Sequence, residues 1–164
     1  MARTDADPTP QRPLIRVLHG PNLNLLGSRE PDVYGTATLT EIEGLVHNRA
    51  ELVGLTCEFL QFNHEGDLVE AVQAAARETH GIIINGGALT HYSMSLADAL
   101  SAVTVPAVEV HLSNIYAREE WRRNSVVSPV VTACLCGFGT MGYVFAVDAM
   151  AGFLAQQASE PGVA

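Results

Sequence analysis

Short apolar runs alternate along this chain with longer segments in which apolar residues recur every three or four positions. The short runs have the length of strands, and the periodic segments are typical of helices with one buried face. Strands are predicted at 15–18, 55–62, 82–85, 107–111 and 130–136. The run at 82–85 is apolar until its last residue, as expected for a parallel strand that helices cover on both faces.

Helices are predicted at 39–53, 67–79, 93–103 and 139–157, with a short arginine-rich helix at 118–123. Thr38 and Glu41 fit a capping box at the start of the first helix, and Ser93 is a candidate N-cap of the third. Regular alternation of strands and helices predicts an α/β doubly wound fold, with about five parallel strands between two helical layers. We expect one domain over 14–158, preceded by a polar, disordered tail at 1–13.

Composition and charge exclude several classes of function. The chain has 164 residues and a net charge of −9, which argues against general nucleic-acid binding because phosphate neutralisation needs a basic surface. All nine of its Lys and Arg residues are Arg, so the chain offers neither a Schiff-base lysine nor a P-loop lysine. No apolar stretch approaches the length of about 18 residues that a membrane span requires.

Cysteine and histidine spacing argues against a metal site. The three cysteines are odd in number and form no C-x-x-C pair, which predicts reduced thiols in a cytoplasmic protein and no structural zinc. They are Cys57, Cys134 and Cys136. None of the six histidines has the i, i+4 helical spacing of metal ligands. Three of them are expected to be surface or strand-end residues: His19, His47 and His80.

Polar side chains follow four of the predicted strands, at the point where each strand ends. Asn22 and Asn24 follow the first strand, and residues 61–65, 85–91 and 109–114 lie at the ends of the next three. The carboxyl ends of parallel strands meet at one edge of a sheet, where open α/β sheets bind their ligands. These residues therefore predict a shared crevice.

Taken singly, several of these residues have simpler structural explanations. Asn22 or Asn85 alone is better explained as a turn residue, and His91 could equally mark the start of a helix. His111 is harder to explain in this way, because Glu109 lies two residues earlier on the same strand and points to the same face. A buried imidazole beside a carboxylate is oriented and readily protonated, as a general acid requires.

The first strand continues into an unusually polar loop at 20–35. The loop carries Arg29 and Tyr34 among turn residues, and loops on a rigid scaffold often carry the chemistry of a protein. A tyrosine near an arginine is a candidate ionisable base, although Tyr34 alone could equally be a turn aromatic.

A glycine motif at 137–142 matches the dinucleotide-binding pattern G-x-G-x-x-G. In a dinucleotide-binding fold this motif belongs to the first strand–helix unit, whereas here it follows the last strand. We therefore expect these glycines to allow close packing of the last helix against the sheet.

With these features in place, the chain closely resembles the type II 3-dehydroquinate dehydratase family over about 15–155. Five blocks of that family occur here in order. They are 20–27 with 29–31 and 34–35; Gln61 with 63–66; Asn85 with 90–91 and Ser93; 98–99; and 109–111 with 113–114, 118–120 and Arg122.

The resemblance implies a flavodoxin-like fold with three layers and a lyase of the shikimate or quinate pathway. The implied reaction is an anti elimination of water from 3-dehydroquinate through an enolate, which gives 3-dehydroshikimate without a Schiff base or a cofactor. It also implies trimers assembled into a homododecamer, with no nucleic-acid or membrane partner.

By the same resemblance, Tyr34 is the base that takes the C2 proton, and Arg29 lowers its pKa and helps to close the loop. Asn22 holds the water that stabilises the enolate, and His111, oriented by Glu109, protonates the departing hydroxyl. A free tyrosine has a pKa near 10, so a useful base needs roughly 2.7 kcal/mol of stabilisation in its ionised form. One arginine at about 4 Å offers up to about 4 kcal/mol at an effective dielectric constant of about 20.

The resemblance implies further residues that bind the hydroxyl and carboxylate groups of the substrate. They are Asn85, His91, Leu112, Ser113 and Arg122, together with Asp98, which reaches in from a neighbouring subunit. The chain departs from the usual residues of the family at Phe62, Gly86, Tyr92 and Ala133. Of these, Tyr92 is expected to narrow the pocket because it follows His91.

Two other functions remain open at this point. One is a flavodoxin-like module that binds FMN or another phosphate ligand, although the loop after the first strand lacks the Ser and Thr residues of a phosphate loop. The other is an inactive paralogue with a scaffold role, which would assemble normally without turnover.

Overall fold

The computed structural model describes residues 11–28 and 35–159. Within these ranges a single parallel sheet has five strands in the order β2-β1-β3-β4-β5, the flavodoxin-like order. The strands are β1 (Leu14–His19), β2 (Thr56–Gln61), β3 (Gly81–Asn85), β4 (Ala107–His111) and β5 (Ala133–Cys136). The predicted α/β doubly wound fold is confirmed.

Four α-helices in the described ranges cover the two faces of the sheet. They are α1 (Leu39–Leu52), α2 (Glu65–Glu78), α3 (Met94–Ser101) and α4 (Met141–Ser159). Helices α1 and α4 pack on one face over Ile15, Val17, Ile83 and Val108, whereas α2 and α3 pack on the other. None of these helices is long and apolar enough to cross a membrane.

The predicted caps start the helices as expected. Thr38 Oγ1 accepts from the Glu41 N–H, and the Glu41 carboxylate accepts from the Thr38 N–H at 2.7 Å, which completes the capping box. Ser93 Oγ accepts from the Leu96 N–H at 2.9 Å. These bonds satisfy N–H groups that have no partner within the helix.

Two predicted elements differ from the structure. The fifth strand begins at Ala133 rather than at 130, because Ser128–Val130 form a 3-10 turn that contains Pro129. Proline has no N–H to donate to a strand ladder, which favours the turn. The predicted helix at 118–123 is reduced to a 3-10 turn at Glu120–Arg122, which follows another at Ile115–Ala117.

Strand register brings the predicted polar residues to one edge of the sheet. His19 at the end of β1 pairs with Asn85 at the end of β3, and Glu109 of β4 pairs with Ile84. Alternation along β4 sends Glu109 and His111 to the face opposite to Val108 and Val110. A Cβ at Gly142 would lie 3.5 Å from Val110 Cγ1, an ordinary van der Waals contact, so the packing of the last helix against the sheet does not require glycine there and the prediction for this motif is not confirmed.

Candidate active site

A pocket lies at the carboxyl edge of the sheet, where the loops after β1, β3 and β4 meet. The residues that line it are Pro21, Asn22, Leu23, Leu26, Asn85, Gly87, Ala88, His91, His111, Leu112, Ser113, Ile115, Arg118 and Arg122. The crevice predicted from the strand ends therefore exists. Residues singled out from the sequence are prominent in its wall: Asn22, Asn85, His91, His111, Leu112, Ser113 and Arg122.

Glu109 and His111 lie side by side at the end of β4, as their spacing predicts. Glu109 is fully buried, and its Oε1 lies 2.9 Å from His111 Nε2. An ionised carboxylate can only accept, so Nε2 carries the proton of this bond. The other ring nitrogen, Nδ1, is then the one that can exchange a proton with a ligand in the pocket.

Three hydroxyl groups also donate to the Glu109 carboxylate. Thr90 Oγ1 lies 3.1 Å and Ser125 Oγ 3.3 Å from Oε1, and Ser128 Oγ donates to Oε2. Burial alone would raise the pKa of Glu109, but the hydrogen bonds from His111 and Ser128 lower it on balance. The carboxylate therefore remains ionised and accepts the hydrogen bond from the neighbouring imidazole.

Amide side chains hold the loop that follows β1. Asn63 Oδ1 accepts from the Asn22 N–H at 2.9 Å, and Gln61 Nε2 donates to the Gly20 carbonyl at 3.2 Å. These bonds retain Asn22 in a left-handed conformation, with φ of 66°, that non-glycine residues rarely adopt. Gly20 is required at this bend because a Cβ would lie only 2.5 Å from the Gly86 carbonyl oxygen.

The loop after β3 contributes Asn85 and His91 with defined orientations. Asn85 Oδ1 accepts from the Gly87 N–H at 3.1 Å, which makes Nδ2 the donor end of the amide. His91 Nδ1 donates to the Asn124 carbonyl at 2.8 Å, which leaves Nε2 as an acceptor. Burial lowers the pKa of His91 and nearby cationic groups lower it further, so this ring is neutral at pH 7.

Two arginines give the pocket its positive charge. Arg118 donates to Ser113 Oγ at 3.3 Å and to Glu119 Oε2 at 3.2 Å. The Arg122 guanidinium lies over the Trp121 ring, with Cζ 4.1 Å from the ring centroid. Its Nε lies 3.3 Å from the same Glu119 oxygen without the alignment of a hydrogen bond. Two guanidinium groups thus share one carboxylate, and the excess of positive charge suits an anionic ligand.

Some predicted site residues are not part of this pocket. Asp98 is exposed on α3 and does not line the pocket that the described residues form. Arg29 and Tyr34 lie outside the described residues. Tyr92 is 62% exposed and does not line the pocket that residues 11–28 and 35–159 form, so the expectation that it narrows this pocket is wrong.

His19 differs most from its prediction as a surface or strand-end residue. It ends β1, but its side chain is fully buried, with Nδ1 3.2 Å from Tyr143 Oη. Burial lowers the pKa of His19 to about 4, so the ring is neutral. Nothing in the sequence indicated this contact, because its partner lies 124 residues away in α4.

Four further residues that complete the site were not predicted from the sequence. Arg118 lines the pocket, but its place in the arginine-rich segment and in the fifth family block had given it no assigned role. Thr90, Ser125 and Ser128 support the Glu109 carboxylate. Ser and Thr are frequent in loops, so only their contacts distinguish them from ordinary turn residues.

The described residues contain no cluster of three or more His, Cys, Asp or Glu side chains suited to a metal ion. The three cysteines are free thiols. Burial raises the pKa of Cys134 to about 12 and that of Cys57 to about 11, so neither is a thiolate nucleophile at neutral pH.

Comparison with known proteins places these features in a family. The family described as Dehydroquinase class II matches residues 13–151. A 3-dehydroquinate dehydratase from Dinoroseobacter shibae is 54% identical over 134 residues, which cover 82% of this chain and 89% of that protein. A 3-dehydroquinate dehydratase from Bacillus subtilis is 48% identical over 148 residues, which cover 90% and 98%.

Solved structures agree with the sequence relatives. The type II dehydroquinase from Propionibacterium acnes has a TM-score of 0.82 at 40% identity, and the match covers 85% of this chain and 96% of that one. The type II dehydroquinase from Butyrivibrio crossotus has a TM-score of 0.83 at 39% identity, with 85% and 97% covered. The similarity therefore extends across the sheet and the pocket together.

Proposed function

Since this chain belongs to the class II dehydroquinase family and is a hydro-lyase of the type II 3-dehydroquinate dehydratase kind, we propose that Tyr34 is its catalytic base and His111 its catalytic acid. The reaction removes a proton from C2 of 3-dehydroquinate and a hydroxyl from the adjacent carbon. Water leaves, and a carbon–carbon double bond conjugated with the ketone forms. The observation that carries the proposal is the buried Glu109–His111 pair in the wall of a cationic pocket.

His111 is suited to protonate the departing hydroxyl. Its Nε2 is held by the ionised Glu109 carboxylate at 2.9 Å, which stabilises the imidazolium before the proton is transferred. Once His111 has given its proton to the leaving group from Nδ1, the neutral ring keeps the same bond to Glu109. The ring therefore does not need to turn during the reaction.

Tyr34 acts at C2 in this proposal, and Arg29 favours its ionised form. Both residues belong to the sequence blocks shared with the family. A proton at C2 is acidified by the neighbouring ketone, and its removal gives an enolate. Asn22, which lines the pocket at the end of β1, holds the water that hydrogen-bonds to the enolate oxygen.

The other pocket residues bind the remaining groups of the substrate. Arg122 provides positive charge for the carboxylate, and the Leu112-Ser113 segment provides polar contacts beside it. Asn85 and the neutral His91 bind hydroxyl groups, which need both donors and acceptors. No step of this reaction needs a metal ion, an oxidant or a covalent intermediate.

We also propose that the active form is a homo-oligomer of trimers assembled into a dodecamer. Asp98 is exposed on α3 and does not line the pocket of its own chain within the described residues. In a trimer its carboxylate would contact the site of a neighbouring subunit. A cytoplasmic location remains the prediction of the cysteine pattern.

The proposed chemistry is tested by following ultraviolet absorbance after 3-dehydroquinate is mixed with the protein, because the conjugated product absorbs and the substrate does not. We expect turnover by the wild type, and a loss of about 10²–10⁴-fold in kcat in His111→Asn. His47→Asn is the matched control, since His47 is exposed on α1. Wild-type turnover by His111→Asn would exclude His111 as the acid. A yellow protein without turnover would support flavin binding instead.

A further inference from the structure

Three buried side chains form a hydrogen-bonded series behind the pocket wall. Asn85 lines the pocket, whereas Tyr143 of α4 and His19 of β1 do not and are both fully buried. Asn85 Nδ2 lies 3.0 Å from Tyr143 Oη, which lies 3.2 Å from His19 Nδ1. The proposed mechanism assigns no part to Tyr143 or His19.

The hydrogen bonds of the series can be given a direction by starting from the Gly87 backbone N–H, which can only donate. The Gly87 backbone N–H can only donate, so the Asn85 atom it contacts at 3.1 Å is the carbonyl Oδ1. The amide nitrogen of Asn85 must then face Tyr143 and donate to its hydroxyl. Among the described residues the Tyr143 hydroxyl has no acceptor other than His19 Nδ1, so we assign its single proton to that bond.

This direction also fixes the tautomer of His19. Nδ1 accepts from Tyr143, so the ring proton is on Nε2, which lies 3.8 Å from Glu43 Oε1 and has no hydrogen-bond partner among the described residues. Burial raises the pKa of Tyr143 and lowers that of His19, which keeps the phenol protonated and the imidazole neutral. The series thus has one consistent arrangement of protons.

We propose that Tyr143 and His19 are positioning residues, which hold the Asn85 carboxamide so that its second Nδ2–H faces the substrate in the pocket. Gly87 fixes one end of the amide and Tyr143 the other, so the amide cannot turn about its last side-chain bond without losing a hydrogen bond at both ends. His19 keeps the Tyr143 hydroxyl turned so that its oxygen lone pair receives the Asn85 proton. The inference rests on the proposed function only in assigning Asn85 to substrate binding.

The kinetic test is Tyr143→Phe, which keeps the buried ring and removes the hydroxyl. We expect kcat/KM for 3-dehydroquinate to fall about tenfold, the effect of one hydrogen bond, mainly through a higher KM. Thr79→Val is the matched control, because it removes a buried hydroxyl that donates to Ala75 O at 2.7 Å at the opposite end of β3. The control should lose stability but keep its KM.

A double-mutant cycle separates positioning from general destabilisation. If Tyr143 acts through Asn85, Tyr143→Phe should cost less than about twofold in kcat/KM when introduced into Asn85→Ala. An equal loss in both backgrounds, or an unchanged KM in the single variant, would overturn the proposal. If Tyr143→Phe does not fold, His19→Gln is put through the same cycle with the same expectations.

A second readout does not depend on turnover. In the ¹⁵N NMR spectrum of histidine-labelled wild-type protein, the His19 resonance, identified by its absence in His19→Gln, should show the proton on Nε2 at about pH 7. A proton on Nδ1 would overturn the proposed series even in an active enzyme. If the wild type failed to convert 3-dehydroquinate, the proposed function would fail while the NMR result still decided the orientation of the series.

Discussion

At the scale of single residues, two buried histidines of this chain are held in opposite electrostatic surroundings. His111 lies against the ionised Glu109 carboxylate, which accepts a hydrogen bond from Nε2. His19 lies on the other face of the sheet beside a neutral phenol, where burial favours the neutral ring. The same residue type is thus suited to proton transfer in one place and to a fixed hydrogen bond in the other.

The buried His19 makes stability depend on pH. A histidine in an unfolded chain has a pKa near 6.5, whereas that of His19 in the folded chain is lowered to about 4. Between these values the unfolded chain binds the proton and the folded chain does not, so the free energy of unfolding rises with pH. The contribution of His19 is fully present above about pH 6.5 and is lost as the pH falls towards about 4.

We therefore expect His19→Gln to lose less free energy of unfolding than the wild type between about pH 7 and about pH 4.5. Over this range the free energy of unfolding of the wild type should fall by about 2 kcal/mol more than that of the variant, as measured by urea unfolding at each pH. Glu43, the acidic group that faces His19, is present in both proteins. His91, whose pKa is also lowered by burial, is present in both as well, so neither group accounts for a difference between the two slopes. His47→Gln, at an exposed position, should keep the wild-type slope. Parallel slopes for His19→Gln and the wild type would contradict the buried neutral state.

Sequence patterns predicted the chemistry of single residues where a short spacing carried it. Glu109 and His111 are two positions apart on one strand, so their contact followed from strand geometry alone. The contact between His19 and Tyr143 joins β1 to the last helix, and no local pattern encodes such a distance. The expectation for Tyr92 also failed, because its side chain is exposed and its place beside His91 in the sequence did not fix where it points.

At the scale of elements, the loop after β2 supports the loop after β1. Asn63 accepts from the Asn22 N–H and from Gln61 Nε2, so a side chain outside the pocket maintains the backbone of a pocket residue. The left-handed conformation of Asn22 is costly for a residue with a Cβ, and such strain persists only where neighbouring contacts enforce it.

Asn63→Ala should therefore relax the loop after β1 and weaken catalysis more than stability. We expect kcat/KM to fall about tenfold, in proportion to the one or two hydrogen bonds lost, while the Tm falls by less than about 5 °C. Asn48→Ala, at an exposed position on α1, is the control and should change neither quantity. Unaltered kinetics in Asn63→Ala would show that Asn22 keeps its geometry without this support.

The order of the strands and α-helices followed from hydrophobic periodicity, but the start of the fifth strand and the helix at 118–123 were predicted wrongly. Apolar residues at 130 and 131 extended the predicted fifth strand, whereas Ser125 and Ser128 turn the chain towards the buried Glu109 carboxylate. These hydrogen bonds accompany the 3-10 turn at Ser128–Val130, which contains Pro129 and precedes the strand. A local sequence pattern does not predict an element boundary that depends on tertiary contacts.

At the scale of the whole molecule, the proposed site is shared between subunits. Residues of one chain form the pocket wall, and Asp98 would be supplied by a neighbour. Twelve chains of 17.5 kDa would give particles of about 210 kDa. Light scattering on the purified protein measures this mass directly, and a monomer would contradict the proposed assembly.

An active site shared between two subunits also predicts complementation between two inactive variants. Asp98→Ala and His111→Asn oligomers should each show low activity, and subunit exchange between them should restore part of it. Restoration is expected because some mixed interfaces combine an intact His111 with an intact Asp98 from the adjacent chain. The control is a mixture of two samples of Asp98→Ala oligomers, which should stay inactive after subunit exchange. Mass spectrometry of the mixed oligomers verifies that subunits have exchanged. If activity does not recover after verified exchange, Asp98 does not contribute to the site of the neighbouring subunit.

The proposed elimination begins with Tyr34, and it is tested by the initial rate of absorbance increase when Tyr34→Phe is mixed with 3-dehydroquinate. Removing the phenolic oxygen removes the base without removing the ring, so we expect a rate at least about 10³-fold below that of the wild type, with unchanged thermal unfolding. A Tyr34→Phe rate within tenfold of the wild type would exclude Tyr34 as the base, because another group would then have to remove the C2 proton.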